Sequence, residues 1–98
     1  SGSDALSVTD NLAVFGNTTI YPNPAQYRTS VSFELSEKSG IQIEVIDLAG
    51  KKVKSVNYDV RPEGYQVIDL EISDLDAGMY IINLRKGDRV HSEKLRVQ

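Results

Sequence analysis

Apolar residues recur at every second position through most of this chain. Val31, Phe33 and Leu35 are interleaved with Ser30, Ser32 and Glu34, and Ile41, Ile43 and Val45 repeat the arrangement further on. A period of two gives one buried and one solvated face, as in a half-buried β-strand. Asp47-Leu48-Ala49-Gly50 then reads as a turn, with Asp47 accepting from turn amides and Gly50 in the left-handed conformation that glycine takes without steric cost. The return strand, Lys52–Tyr58, has Val53 out of phase with Val56 and Tyr58, which predicts a bulge.

Arg61-Pro62-Glu63-Gly64 reads as a second turn, leading into a strand over Tyr65–Leu70. Ser73–Ala77 is expected to form one short helical turn before Gly78, which lets the chain swing sharply into the next strand. There Met79, Tyr80, Ile81, Ile82 and Leu84 are apolar on both faces. That predicts a central strand covered on both sides, with Tyr80 as its large buried aromatic. Lys86-Gly87-Asp88 turns the chain into Arg89–Val97, where Val90 is out of register with Leu95 and Val97 and predicts another bulge or kink. With a short strand at Thr19–Tyr21, seven strands result. No heptads or long helix-period matches interrupt them, so the fold class is all-β: a seven-stranded antiparallel immunoglobulin-like β-sandwich.

Residues 1–16 are polar and weakly patterned, with only Leu12, Val14 and Phe15 able to anchor. They read as a linker, led by a cloning scar at Ser1-Gly2-Ser3, into a domain over residues 17–98. Ninety-eight residues leave room for one core. A net charge of -3 argues against a nucleic-acid partner, which would call for a basic stripe. The absence of cysteine excludes disulfides and thiolate chemistry. No run approaches the roughly 18 apolar residues of a membrane span, and no leader-like segment opens the sequence.

Candidate chemistry is sparse. His91 is the only histidine, which excludes a multi-histidine metal site, and it is expected on the solvent side of its strand. Ser30, Ser32, Ser36 and Ser39 lack a nucleophile elbow and read as wet strand positions. Asp74 and Asp76, with Glu71, offer hard oxygen donors for calcium but lack the rest of a calcium loop, so a turn or capping role is favoured. Asn17-Thr18-Thr19 fits the glycosylation sequon, a short motif that often matches by chance. Tyr21, Tyr27, Tyr58, Tyr65 and Tyr80 are better read as core or sheet residues than as a sugar platform. Lys51, Lys52 and Lys54 read as a solvated strand that discourages edge pairing. No cofactor, no metal and no catalytic residue is expected.

Four short stretches fall in a telling order: Tyr21-Pro22-Asn23-Pro24, Asp47-Leu48-Ala49-Gly50-Lys51, Leu75-Asp76-Ala77-Gly78-Met79-Tyr80, and Lys94-Leu95-Arg96-Val97. Together they resemble the C-terminal sorting domains of the bacterial type IX secretion system, the type A class of Bacteroidetes. The resemblance spans roughly residues 19–98. It implies a non-catalytic secretion signal that is itself a folded domain. A leader would take the parent chain, with its N-terminal cargo, to the periplasm. The signal would then engage an outer-membrane translocon and shuttle protein. A sortase-like cysteine peptidase would remove it within Ser3–Asn17 and attach the cargo to an anionic lipopolysaccharide at the cell surface.

Each stretch also has a physical reading. Pro22 and Pro24 fix φ and remove donors, so the chain leaves its first strand in a bend. Lys94 and Arg96 face away from Leu95 and Val97, so one face packs while the other offers positive charge. The last strand runs to Gln98 without a tail, where most chains fray. Lys94, Leu95, Arg96, Val97 and Gln98 are therefore the expected recognition element, with Leu95 and Val97 serving the core. The competing reading is a fibronectin- or immunoglobulin-like accessory module that tethers a secreted protein to polysaccharide. The fold alone does not separate the two.

Overall fold

A computed structural model describes residues 16–98, which form seven strands linked by turns and short loops. β1 (Gly16–Tyr21), β2 (Arg28–Leu35) and β5 (Gly64–Glu71) make a three-stranded sheet in the order β1-β2-β5. β3 (Ser39–Asp47), β4 (Lys52–Arg61), β6 (Gly78–Lys86) and β7 (Arg89–Val97) make a four-stranded sheet in the order β4-β3-β6-β7. All the strand pairings are antiparallel. The chain crosses between sheets after β2, β4 and β5, so β2 pairs with β5 and β3 with β6. This is the connectivity of immunoglobulin-type sandwiches. The linker expected over residues 1–16 lies outside the described residues apart from Gly16, which opens β1.

The core follows from the two-residue period. Val31, Phe33 and Leu35 of β2 and Ile68 and Leu70 of β5 face Ile41, Ile43, Val45, Tyr80, Ile82, Leu84, Leu95 and Val97 of the other sheet, all buried. Each such side chain stabilises the fold by about 1.5–3 kcal/mol relative to exposure. Among the described residues, every buried side-chain nitrogen and oxygen is hydrogen-bonded. Gln66, on the core face of β5, accepts from Arg61 Nε at 3.0 Å and donates to the carbonyls of Pro62 and Gly64 at 2.8 and 3.2 Å. That arrangement ties down the crossover from β4 to β5.

Register confirms one expected irregularity and corrects another. Val45 pairs with Lys54 and Ile46 with Lys52, so Val53 is the extra residue of a bulge and packs against the core. β6 and β7, by contrast, pair without interruption from Gly78↔Val97 to Lys86↔Arg89. Val90 makes no bulge; it lies opposite Arg85 on the outer face and is 45% exposed. A further bulge sits where Ser39 pairs with Arg61 but Ile41 with Tyr58. Gly40 is needed there, since a Cβ would come within 2.7 Å of the Asp59 carbonyl oxygen.

Other expectations also change. Residues 73–77 form no helical turn; the Leu75 amide donates to the Ile72 carbonyl in a single hydrogen-bonded turn. β6 is central, but it is covered on one side only. Tyr80, Ile82 and Leu84 are buried, whereas Met79 and Ile81 are half-buried on the outer face. A sandwich has two layers, so the outer face of even a central strand meets solvent. Lys54, placed on the core side by the bulge, reaches Asp74 at 3.3 Å rather than standing in a solvated row.

The outer face of the four-stranded sheet carries a buried carboxylate. Glu44 lies between Lys52, 2.9 Å away, and Arg85, 3.3 Å away, and its side chain is 7% exposed. The hydrogen bond from Lys52 holds its pKa below the ordinary 4.5, assisted by Arg85 and opposed by burial. A carboxyl whose folded pKa is depressed contributes stability above its unfolded pKa and loses it as pH falls through the folded value. Stability should therefore fall on acidification below about pH 4.5. Glu44→Gln should flatten that part of the profile, as read by urea denaturation at a series of pH values. A profile of unchanged slope in the variant would show that Glu44 has no part in it.

Candidate functional site

β7 is an edge strand, so its side away from β6 has no strand partner. Its core face is secured by Leu95 and Val97, which are 0% and 2% exposed. Its outer edge is taken up by the first motif. The carboxamide of Asn23 donates through Nδ2 to the Lys94 carbonyl at 2.9 Å and accepts at Oδ1 from the Arg96 amide at 3.0 Å. A carboxamide has the same donor and acceptor pair as a peptide unit, so Asn23 stands in for a neighbouring strand. Backbone groups continue the pattern: the Ala25 amide donates to the Arg96 carbonyl and the Gln98 amide to the Ala25 carbonyl, both at 2.8 Å.

The chain comes into this position because Pro22 and Pro24 end β1 without donors of their own. The peptide bonds before both prolines are cis. The Pro22 carbonyl accepts from the Thr29 hydroxyl at 2.8 Å, and Thr29 is 1% exposed. Ala25 is buried and bridges in parallel to Val97. Segment 22–25 thus runs from the edge of one sheet to the edge of the other.

The remaining motifs line up with it. Asp47 of β3 pairs with Tyr80 of β6, and Tyr80 with Leu95 of β7, so these residues share one cross-strand row. Asp47 Oδ1 accepts from the Ala49 and Lys51 amides at 3.0 and 2.9 Å, and Gly50 takes φ +88° in the same turn. Gly78 opens β6 opposite Val97, with φ +154°. Tyr80 is 7% exposed and donates its hydroxyl to the Asp76 carbonyl at 2.6 Å, like the tyrosine corner of immunoglobulin-type sandwiches. Burial, and then the charges of Asp76 and Asp47, raise its pKa above the ordinary 10. All four motifs therefore meet at one end of the four-stranded sheet.

Lys94 and Arg96 are turned outward at this corner. They lie opposite Ile81 and Met79, are exposed, and form no ion pair among the described residues. A shallow groove of about 380 Å³ runs beside Arg96, lined also by Ala77, Gly78, Met79, Val97 and Gln98. Of the expected recognition residues, Leu95 and Val97 are core and Lys94, Arg96 and Gln98 are surface. The structural role of Asn23 is not visible from its flanking prolines. Its hydrogen-bond partners lie more than seventy residues away.

Other candidate residues are placed elsewhere. His91 is not on the solvent face; it shares the core-facing side of β7 with Leu95, half-buried, 2.7 Å from Glu93. Asp74 pairs with Lys54, Glu71 with Arg28 at 3.7 Å. Tyr21 and Tyr65 are sheet residues, as expected, on the exposed outer face of the three-stranded sheet, and Tyr27, just before β2, is 65% exposed. Asn17 has φ +53° at an irregularity in β1. Among the described residues, no group of three or more His, Cys, Asp or Glu is placed to hold a metal.

The site is thus an ordered strand edge with two outward cations at one corner of an immunoglobulin-type sandwich. The family model of the secretion system C-terminal sorting domain matches residues 19–98. The chain belongs to that family and is a C-terminal sorting signal of the type IX secretion system, a family of tags rather than catalysts. No curated protein matches it.

Asn23→Ala removes both side-chain bonds to β7. It should lower stability by about 1–3 kcal/mol and speed hydrogen exchange at the Arg96 amide well before that of core amides. Asn23→Asp keeps the acceptor for Arg96 and should protect that amide better than alanine does. Equal exchange at Arg96 in all three proteins would show that the edge is not held by Asn23.

Proposed function

We propose that this chain carries an N-terminal cargo across the outer membrane and that the corner bearing Lys94, Arg96 and Gln98 is what the sorting machinery reads. The observation that carries the reading is the pairing of a rigidly held backbone with unpaired, outward cations. Asn23 and Ala25 fix the strand at residues 94–98, while the Lys94 and Arg96 side chains have no ion-pair partner among the described residues. An outer-membrane shuttle protein that binds this surface would recognise shape first and charge second. Leu95 and Val97 contribute by setting the register and do not touch the partner.

On this reading the residues ahead of β1 join signal to cargo, and a sortase-like cysteine peptidase cleaves within Ser3–Asn17. The cargo then becomes attached to an anionic lipopolysaccharide at the surface of a Bacteroidetes cell. Mass spectrometry of the parent protein from cells and medium should find mature cargo ending within that stretch. A single species that retains residues 17–98 in both fractions would overturn the cleavage step.

Recognition itself is tested by fusing the chain to a periplasmic reporter in a type IX-competent host. Exchange of Lys94 and Arg96 for Gln should leave stability within about ±0.5 kcal/mol, because both are solvent-facing. Surface display should nevertheless drop sharply. Equal display of wild type and variant would remove the corner from the signal.

A further inference from the structure

The charges of the sandwich are sorted between its two outer faces. On the four-stranded sheet, the outward positions carry Lys52, Arg85, Lys94 and Arg96 against two carboxylates, Glu44 and, at the margin beside Arg85, Asp59. On the three-stranded sheet, the outward positions carry Glu34, Asp69 and Glu71 against Arg28. A chain of net charge -3 thus presents one cationic face.

That face also has an apolar middle. Ile46 pairs with Ile81, and Met79 is the next outward residue on β6; all are half-buried. Lys52 flanks Ile46 on one side of the row, and Lys94 flanks Ile81 on the other. Val90, 45% exposed, extends the apolar character along β7, and Ser92 lies between Val90 and Lys94 with its hydroxyl on Asn83 Oδ1 at 2.6 Å.

We propose that this whole outer face, well beyond residues 94–98, is a docking surface for an acidic protein surface whose carboxylates surround an apolar patch. The proposal rests on the sorting reading and names the chemistry of its partner. Charge complementarity selects an anionic occupant, and the apolar row between Lys52 and Lys94 selects a protein over an anionic lipid or polysaccharide. A polyanion needs cations alone, whereas Ile46, Ile81 and Met79 become useful only when a partner side chain excludes water from them. Like charges brought together across such a contact oppose binding, so the sign of a new charge is decisive.

Ser92 gives the test, since it is exposed, outward and outside the 94–98 element. Ser92→Glu and Ser92→Lys both remove the hydroxyl that donates to Asn83, and a melting curve for each controls for folding. In the reporter assay, Ser92→Glu should cut surface display about tenfold or more relative to Ser92→Lys. Carbodiimide coupling in secreting cells should join Lys94 or Lys52 to an Asp or Glu of a type IX outer-membrane component. Equal display of the two variants, with coupling absent, would falsify the proposal. Binding of the chain to phosphatidylglycerol vesicles in the same sign order, without a protein adduct, would overturn it in favour of an anionic lipid. If the Lys94 and Arg96 exchanges abolish display while both Ser92 variants are displayed equally, the sorting corner stands and the wider face does not.

Discussion

A strand at the end of a sheet is held most firmly when both its inner side chains and its free edge are occupied. β7 meets the first condition with Leu95 and Val97, whose burial is worth about 1.5–3 kcal/mol each. Hydrogen bonds from segment 23–25 meet the second, at about 0.5–1.5 kcal/mol net for each. Burial is the larger contribution, but it does not distinguish β7 from a strand whose edge remains a template for other chains. The edge contacts do. They fix residues 94–98 against β6 and so determine where Lys94 and Arg96 stand, on which the surface of the corner depends.

The same contacts explain why motifs so far apart in sequence belong together. A row across the four-stranded sheet joins Asp47, Tyr80 and Leu95, and Asn23 lies just beyond it. The hairpin turn held by Asp47 sets the register of β3 with β4, the Tyr80 hydroxyl ties the entry of β6 to Asp76, and Asn23 closes β7. Each motif controls one step of alignment at one end of the sheet. A slip in any one strand would reverse which residues face out, since the side-chain period is two.

That period made the strands and most of the core legible from the sequence. Its failures are informative. Val53 and Val90 both break phase, yet only Val53 is a bulge; Val90 is an exposed valine opposite Arg85. A phase break alone cannot separate these cases, because the answer depends on what the neighbouring strand offers. Val53 has a core to pack against, and Val90 has solvent. The burial of Glu44 and Gln66 was equally hidden, since it depends on cross-strand partners and on a crossover between sheets. Tyr80 was legible as a buried aromatic because its own strand is apolar on both sides of it. For the corner itself, alternation separated Lys94 and Arg96 from Leu95 and Val97, whereas the bonds from Asn23 exist only once β1 and β7 have met.

The ion triad refines what the cationic face can do. Glu44 draws Lys52 and Arg85 into short pairs near the centre of the sheet, so their charge is largely compensated at contact distance. Lys94 and Arg96, on the edge strand, have no such compensation among the described residues. At physiological salt, exposed charges are screened beyond about 8 Å, so an approaching partner feels chiefly the cations it touches. The face is therefore graded, from near-neutral over β3 to positive along β7. A partner aligned by its carboxylates would be drawn toward the edge that Asn23 holds. Orientation would come from the gradient, and the apolar row between Ile46 and Ile81 would supply the contact that charge alone cannot.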